Sequence, residues 1–184
     1  MNKFVLGIIA VLIVLAVAVV SSYNNLVAMN ENVSGKWSQV ENQLQRRADL
    51  IPNLVNTVKG FAAHEQQSIQ AVADARAKLS GAQGPAAKGE ANGELSNAIS
   101  RLLVVVENYP ALKADKNFRA LMDELSGTEN RLAVARKDYN ESVQTYNTTI
   151  RSLPASLYAR MLGFDAKEYF KTDENAKQTP QVKF

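Results

Sequence analysis

A histidine followed by a glutamate, His64-Glu65, is the fragment of this sequence that most resembles a catalytic helix motif. In zinc metalloproteases a second histidine follows four residues after the first, so that both imidazoles lie on one face of a helix and bind the same ion. Ser68 occupies that position here, and the chain contains one histidine and no cysteine. The sequence therefore predicts no metal site, and we expect Glu65 to turn inward towards a basic partner.

Further ionisable side chains lie on or beside the apolar positions of the predicted helices. A buried carboxylate costs several kcal/mol unless it is paired, so Glu107 and Glu129, where they are buried, are expected to face one of three arginines: Arg46, Arg47 or Arg76. Helical bundles use such groups to fix helix register, whereas a site with perturbed acid–base groups is the alternative. We assign to this predicted structural polar network Arg47, Glu65, Arg76, Glu107, Glu129, Arg131 and Arg136.

The other patterns of catalytic chemistry are missing from the sequence. It has no nucleophile beside a base, no glycine-rich phosphate loop and no cluster of metal ligands. We therefore predict no catalytic residue, no cofactor and no enzymatic activity. Its 21 basic and 18 acidic residues are interspersed, which argues against a nucleic-acid partner.

The amino-terminal segment forms an apolar run. From Phe4 to Val20 no side chain is charged or polar, and a helix of this run rises about 25 Å. Residues 1–22 are therefore predicted to be a single transmembrane anchor in a lipid bilayer. A cleaved secretory signal is the alternative, because Ala16-Val17-Ala18 has the spacing of a cleavage site. The short charged leader and the length of the run favour an uncut anchor.

The residues behind the anchor, 23–171, are predicted to form one helical domain, and residues 172–184 a polar tail. Apolar residues recur at intervals of three and four, with no alternating strand pattern. The fold class predicted is all-α: a transmembrane helix followed by an up-and-down bundle of long, coiled-coil-like helices. One apolar row has a spacing of seven: Asn30, Trp37, Leu44, Ile51, Val58, Glu65, Val72 and Leu79.

Two segments interrupt the helical pattern. Pro52 indicates either a kink in one long helix or a tight turn between two, and the residues alone leave both open. Residues 81–93 are rich in Gly, Ala and Pro, which predicts a mobile loop. A short apolar helix is predicted from Leu95 to Val106.

The last long helix is predicted from Phe118 to Arg151 and ends before Pro154. After a short amphipathic turn from Ser156 to Leu162, Tyr169 and Phe170 are expected to dock on the bundle. The residues predicted to pack the bundle are Trp37, Phe118, Leu125, Leu132, Tyr139 and Tyr146.

Two long strings of the sequence identify a family resemblance. YNNLVAMNENVSGKWSQVENQLQRRADLIPNLVNTVKGFAAHE (residues 23–65) and ENYPALKADKNFRALMDELSGTENRLAVARKDYNESVQTYN (residues 107–147), followed by Tyr169-Phe170, resemble the LemA family of bacterial proteins. The sequence departs from the family at Leu153-Pro154, where an aromatic residue is expected before the proline. The resemblance implies one membrane helix and an up-and-down bundle without an agreed enzymatic activity, and it favours the turn at Pro52.

These observations lead to a functional expectation. The leading hypothesis is a membrane-anchored scaffold or interaction protein that forms a homo-oligomer. A monomeric adaptor for another membrane protein, such as a sensor kinase or a protease, is the second hypothesis, and a hydrolase using Glu65 and Glu129 is the third. Lys3 before the span favours a cytoplasmic amino terminus, hence an extracytoplasmic bundle on the bacterial inner membrane.

Overall fold

The computed structural model describes residues 3–171. Within this range the chain forms helices without any strand, which confirms the predicted all-α class with one long apolar amino-terminal helix and a helical bundle. The predicted polar tail, 172–184, lies outside the described residues. The elements are α1 Lys3–Phe61, α2 Gln66–Gly81, α3 Gly84–Val106, α4 Pro110–Ala114, α5 Lys116–Arg151 and two 3₁₀ helices, Ala155–Leu157 and Arg160–Leu162.

Helix α1 joins the apolar segment to the bundle without a break. Residues 4–14 and 16–20 are exposed, and the helix is long and apolar enough to cross a membrane by length and composition. From Leu26 onwards the same helix buries one stripe, which includes Val40, Leu54 and Val58 at 0% exposure. The apolar segment and the bundle core therefore belong to a single helix.

The turn that the family resemblance favoured at Pro52 is wrong, because α1 continues through Pro52 to Phe61. Proline lacks the N–H that would donate to the carbonyl of Ala48 one turn earlier. The Nε of Arg76 in α2 donates to that carbonyl oxygen at 2.8 Å. A side chain from another helix thus replaces the missing backbone hydrogen bond and lets the helix continue.

The loop predicted over residues 81–93 is also wrong, because only Ala82 and Gln83 separate α2 from α3. Gly84, with φ +77°, makes the turn, and α3 then runs through the small residues. At Gly89 an added Cβ would lie 2.2 Å from the backbone oxygen of Lys171. This glycine permits close approach of another chain segment and does not indicate mobility. The short helix predicted from Leu95 is the second half of α3.

Helix α5 covers the range predicted for the last long helix. The side chain of Asp115 accepts a hydrogen bond from the backbone N–H of Phe118 at 2.8 Å, which caps the start of the helix. α5 packs antiparallel to α1, as the ion pairs Lys36–Asp138 (3.0 Å) and Arg46–Glu124 (2.8 Å) demonstrate. Of the residues expected to pack the bundle, Trp37 is partly buried on α1. The other five are buried on α5: Phe118, Leu125, Leu132, Tyr139 and Tyr146.

The hairpin of α2 and α3 covers only the far part of the α1–α5 pair. Lys88 near the start of α3 contacts Glu41 of α1 at 2.6 Å, so the hairpin begins near the middle of α1. The extended residues 164–171, which we call the strap, cover the part of α1 and α5 nearer the apolar segment. Phe164 contacts Tyr23 with ring centroids 5.6 Å apart, and Phe170 contacts Trp37 at 6.3 Å.

Candidate functional site: a buried arginine and the docked strap

Arg47 is the most deeply buried charged residue of the bundle core. It is 5% exposed, and its Nη1 lies 2.6 Å from Oδ1 of Asn92 and 2.5 Å from Oε2 of Glu129. One guanidinium therefore links α1 to α3 and α5. Its Nε is buried with no acceptor among residues 3–171. Such a group stabilises one arrangement of three helices, because any shift leaves a buried charge without a partner.

Burial lowers the pKa of Arg47 from its ordinary value, and the nearby charge of Arg136 lowers it further. The carboxylate of Glu129 opposes both effects by its charge and its hydrogen bond. Because arginine begins from so high a pKa, the guanidinium stays charged at neutral pH. The contact is an ion pair and not an acid–base couple.

The other residues of the predicted polar network do not converge on Arg47. Glu65 accepts a hydrogen bond from the hydroxyl of Tyr109 at 2.8 Å at the far end of the bundle, not from a basic partner. Glu107 is exposed and pairs with Lys113 at 2.6 Å. The structure thus gives Glu65 a tyrosine in place of the expected basic partner, and it leaves Glu107 at the surface, where the expectation of a buried pair does not apply.

The remaining arginines also act separately. Arg76 donates to the Ala48 carbonyl, and Arg131 pairs with Glu124 at 2.9 Å on the surface of α5. Arg136 lies over the ring of Phe170 at 5.4 Å, in a cation–π contact. Of the seven predicted residues, the structure brings only Arg47 and Glu129 into direct contact through an ion pair.

No group of three or more His, Asp or Glu residues that could hold a metal ion occurs within residues 3–171. His64 is exposed beside the short turn between α1 and α2. The arrangement of the described polar groups is that of packing and docking contacts.

The strap is held by two asparagines of α5. Asn147 accepts from the backbone N–H of Lys167 at 2.8 Å and donates to its carbonyl at 2.9 Å. Asn140 makes the same pair of bonds with the backbone of Phe170, at 2.9 and 3.1 Å. Each side-chain amide thus satisfies both backbone groups of one strap residue, as a neighbouring strand would.

The spacing of these contacts follows from the geometry of helix and extended chain. Asn140 and Asn147 are two turns apart on one face of α5, about 10.5 Å along the axis. Lys167 and Phe170 are three residues apart in an extended segment, about 10 Å. The two amides therefore fit one register of the strap. These hydrogen bonds are made to the backbone of the strap and not to its side chains.

Aromatic residues complete the groove under the strap. Phe170 is 3% exposed, and the hydroxyl of Tyr139 donates to the carbonyl of Glu168 at 2.7 Å. Burial, followed by the charge of Glu168, raises the pKa of Tyr139 to about 12. Burial also raises the pKa of Tyr146, over whose ring the Lys167 ammonium lies at 5.9 Å. These phenols stay protonated at physiological pH.

Sequence reasoning missed Asn92 and Asn147. Both are polar, nearly buried residues, at 3% and 6% exposure. Asn92 lies in the stretch that composition marked as a loop, so it gave no signal. Asn147 follows the heptad residue Tyr146 and stands seven after Asn140, and this repeat of amides on an otherwise apolar face was the available signal.

The fold and its polar contacts define a class: a helical bundle built on a single long amino-terminal helix whose first part has the length and composition of a membrane span. The sequence model of the LemA family matches residues 36–184. The chain belongs to the LemA family.

Named relatives agree with this assignment. The chain is 31% identical over 186 residues to Magnetosome protein MamQ 2 and, equally, to MamQ 1 of Paramagnetospirillum magneticum. It is 31% identical over 187 residues to Magnetosome protein MamQ of Magnetospirillum gryphiswaldense. Each alignment covers 87% of this chain and 68% of the relative.

Proposed function

We propose that this protein is a membrane-anchored, non-catalytic helical scaffold that associates with further copies of itself. The observation that carries the proposal is the continuity of α1 from Lys3 to Phe61. A span that continues as the central helix of a bundle holds that bundle at a fixed height above the lipid. From Tyr23 to Phe61 the helix rises about 57 Å, so the bundle stands as an upright rod.

The face of α1 and α5 opposite the α2–α3 hairpin supplies the surface for self-association. Two shallow grooves on this pair contain residues of α1 and α5 only, within the described part of the chain. The groove nearer the strap includes Gln43, Arg131 and Val134, and the farther one includes Leu50 and Leu121. Val134 is 62% exposed there. In the farther groove the partly buried Leu50 and Leu121 lie among asparagines and Glu124, and this mixture of apolar and polar groups is the composition of a protein–protein interface.

Several further observations support a non-catalytic role. Arg47 and Glu129 are engaged with each other, and Glu65 is engaged with Tyr109. Membership of the LemA family is consistent with this proposal. The positive-inside rule supports an inner-membrane protein whose bundle is extracytoplasmic.

The experiment is a mass measurement on the full chain in lipid nanodiscs. We expect a defined oligomer for the wild type and a shift towards monomer for Val134→Glu, because a charge on the α1–α5 face opposes its burial. Val104→Glu is the matched control. Val104 is 71% exposed on α3, and its substitution is expected to leave the mass unchanged.

A wild-type protein that is monomeric in nanodiscs at cellular concentration would contradict self-association. If that monomer co-purified from native membranes with a fixed proportion of one other membrane protein, the adaptor hypothesis would replace the scaffold hypothesis. Equal effects of the two valine substitutions would contradict the assignment of the α1–α5 face.

A further inference from the structure

The segment after α5 exposes an unusual density of large apolar side chains. Leu153 is 78% exposed, Leu157 71%, Met161 87% and Leu162 46%. These four lie within ten residues, whereas Phe61, Val104 and Val134 are scattered over the bundle between residues 24 and 152. Single exposed apolar residues are ordinary, but a contiguous group marks a surface that is covered by something. We call residues 153–162 the foot.

The foot is an ordered structure with one buried and one exposed side. Ala155 and Ala159 are 4% and 2% exposed and pack on the bundle. The hydroxyl of Tyr158 contacts the hydroxyl of Ser22 through a hydrogen bond. The two 3₁₀ helices thereby turn the apolar side chains outward, which places these side chains where the bundle itself does not cover them.

The position of the foot identifies what covers it. Ser22 and Tyr23 lie two and three residues after Val20, where the apolar run of α1 ends. The foot contacts Ser22 through Tyr158, and Phe164 contacts Tyr23. The exposed apolar side chains therefore lie level with the end of the membrane span. Tyrosines at that level are typical of the interface between hydrocarbon and headgroups.

The charge of this region fits a lipid surface. Residues 151–163 include Arg151 and Arg160 and no acidic residue, and both arginines are exposed. The closest acidic residue along the chain, Asp165, belongs to the strap and is exposed. Arginines beside exposed leucines are the composition of segments that lie in the headgroup layer of anionic bilayers.

We propose that the foot is a second membrane contact, in which Leu153, Leu157, Met161 and Leu162 insert into the interfacial layer of the bilayer that α1 crosses. Arg151 and Arg160 bind lipid phosphates beside them. The inference rests on the proposed membrane anchoring of α1. Two attachment points on one bundle fix its rotation about the α1 axis, so the α1–α5 face is presented in one orientation along the membrane.

The test uses the absence of cysteine from the chain. Single cysteines replace Leu157 or Met161 in the full-length protein, carry an environment-sensitive fluorophore, and are reconstituted in vesicles of phosphatidylcholine and phosphatidylglycerol. Lipids with a quencher near the headgroup report contact with the interface, and lipids with a quencher near the end of the acyl chain report residence in the hydrocarbon core. Val104→Cys, an exposed position near the end of α3, is the control outside the bilayer, and Val11→Cys is the control inside it.

We expect severalfold stronger headgroup quenching at Leu157→Cys and Met161→Cys than at Val104→Cys, and a loss of part of this quenching when phosphatidylglycerol is omitted. Quenching of Val11→Cys by the acyl-chain quencher, together with a foot that neither quencher reaches, would overturn the second contact and leave the anchor intact. A Val11→Cys label that the acyl-chain quencher does not reach would instead overturn the anchor itself. A foot that is shielded from water but not quenched by lipid would overturn the inference in favour of a contact between copies.

Discussion

Arg47 is a charged residue on the buried stripe of α1, seven residues from both Val40 and Leu54, and its burial depends on Glu129. The Glu129 side chain is 41% exposed, so water screens part of the pair. If the carboxylate is removed, the free energy of unfolding falls because the far less exposed Arg47 guanidinium is left buried without its counter-ion. Arg47 therefore mainly favours one arrangement of the helices over others.

The first prediction concerns this ion pair. Glu129→Gln keeps the shape of the side chain but removes its charge, and we expect it to destabilise the protein by about 1–3 kcal/mol, because the guanidinium stays buried. Thermal or denaturant unfolding of the full chain in detergent measures this. Glu141→Gln, whose exposed carboxylate lies 3.6 Å from Lys137, is the control and should change stability by less than about 0.5 kcal/mol. A fully stable Glu129→Gln would contradict the structural role, and a stable variant that had also lost a hydrolytic turnover would favour the hydrolase hypothesis.

The second prediction is a pH dependence from Tyr139. Its pKa of about 12 in the folded protein exceeds the ordinary value of 10, so the folded state holds the phenolic proton more tightly than the unfolded state. The resulting stability is complete below pH 10 and is lost as the pH rises through 12. Tyr139→Phe removes this contribution to the pH dependence of the free energy of unfolding. The free energies of unfolding of the two proteins should therefore converge as the pH rises above 9, and a difference that stays constant with pH would contradict the assignment.

At the residue scale the sequence predicted burial better than it predicted partners. The heptad spacing of Tyr139 and Tyr146 on α5 was sufficient to place both in the core. It did not predict that Glu65 would meet Tyr109, because that contact depends on how α1 ends and how α3 returns to it. Polar partners are set by tertiary geometry, which a single helix pattern does not contain.

Helix α1 passes through Pro52 because its neighbour α2 supplies a donor. The local rule that proline ends a helix holds only when the freed carbonyl has no other partner. Arg76 is twenty-four residues further along the chain, in another helix. Neither the heptad phase nor the family resemblance contained this contact, and the resemblance led to the wrong choice.

The third prediction tests the coupling between Pro52 and Arg76. Arg76→Met should destabilise the wild type by about 1–2 kcal/mol, because the Ala48 carbonyl loses its donor. In a Pro52→Ala background the backbone N–H of residue 52 satisfies the same carbonyl, so the cost should fall. A double-mutant cycle on unfolding free energies measures the coupling, which we expect to exceed about 0.5 kcal/mol. Additive effects of the two substitutions would refute it.

The role of the small residues near the start of α3 is also set by a contact with a distant part of the chain. Composition predicted a loop, since glycine and alanine have little apolar surface to bury. In the structure Gly89 lies against Lys171 at the end of the strap, so the small side chain serves close packing. The partner is more than eighty residues away in sequence. Local composition contained no information about it.

The fourth prediction concerns the strap. Asn147→Ala removes two hydrogen bonds to Lys167, and Asn140→Ala removes two to Phe170. We expect the strap amides to exchange with deuterium faster in either variant, by a factor that corresponds to about 1–3 kcal/mol of lost protection. Asn130→Ala, an exposed position on α5, is the control. Unchanged exchange in both variants would mean that packing of Phe170 alone holds the strap.

At the scale of the whole molecule, three features meet at one end of the bundle. The apolar part of α1, the foot and the start of the strap all lie around Tyr23, and the α2–α3 hairpin lies at the other end. The two ends of the bundle therefore differ: one carries the apolar segment and the foot, and the other carries the α2–α3 hairpin. The heptads and the apolar run were enough to predict the helical bundle and the long apolar helix at its amino-terminal end. The strap and the foot were not predictable in detail, because their contacts are with residues distant in sequence.

Helix α1 runs without interruption from the apolar amino-terminal segment into the bundle. The most direct measurement is a spin-label distance in nanodiscs between cysteines introduced at Val11, in the apolar segment, and Gln45, on the exposed side of the bundle part of α1. For a continuous helix we expect a narrow distribution of label separations near the Cα–Cα distance of about 51 Å, which is the rise of thirty-four helical residues. A broad or much shorter distribution would contradict a continuous helix, and loss of the Val11 label from the mature protein would contradict the anchor.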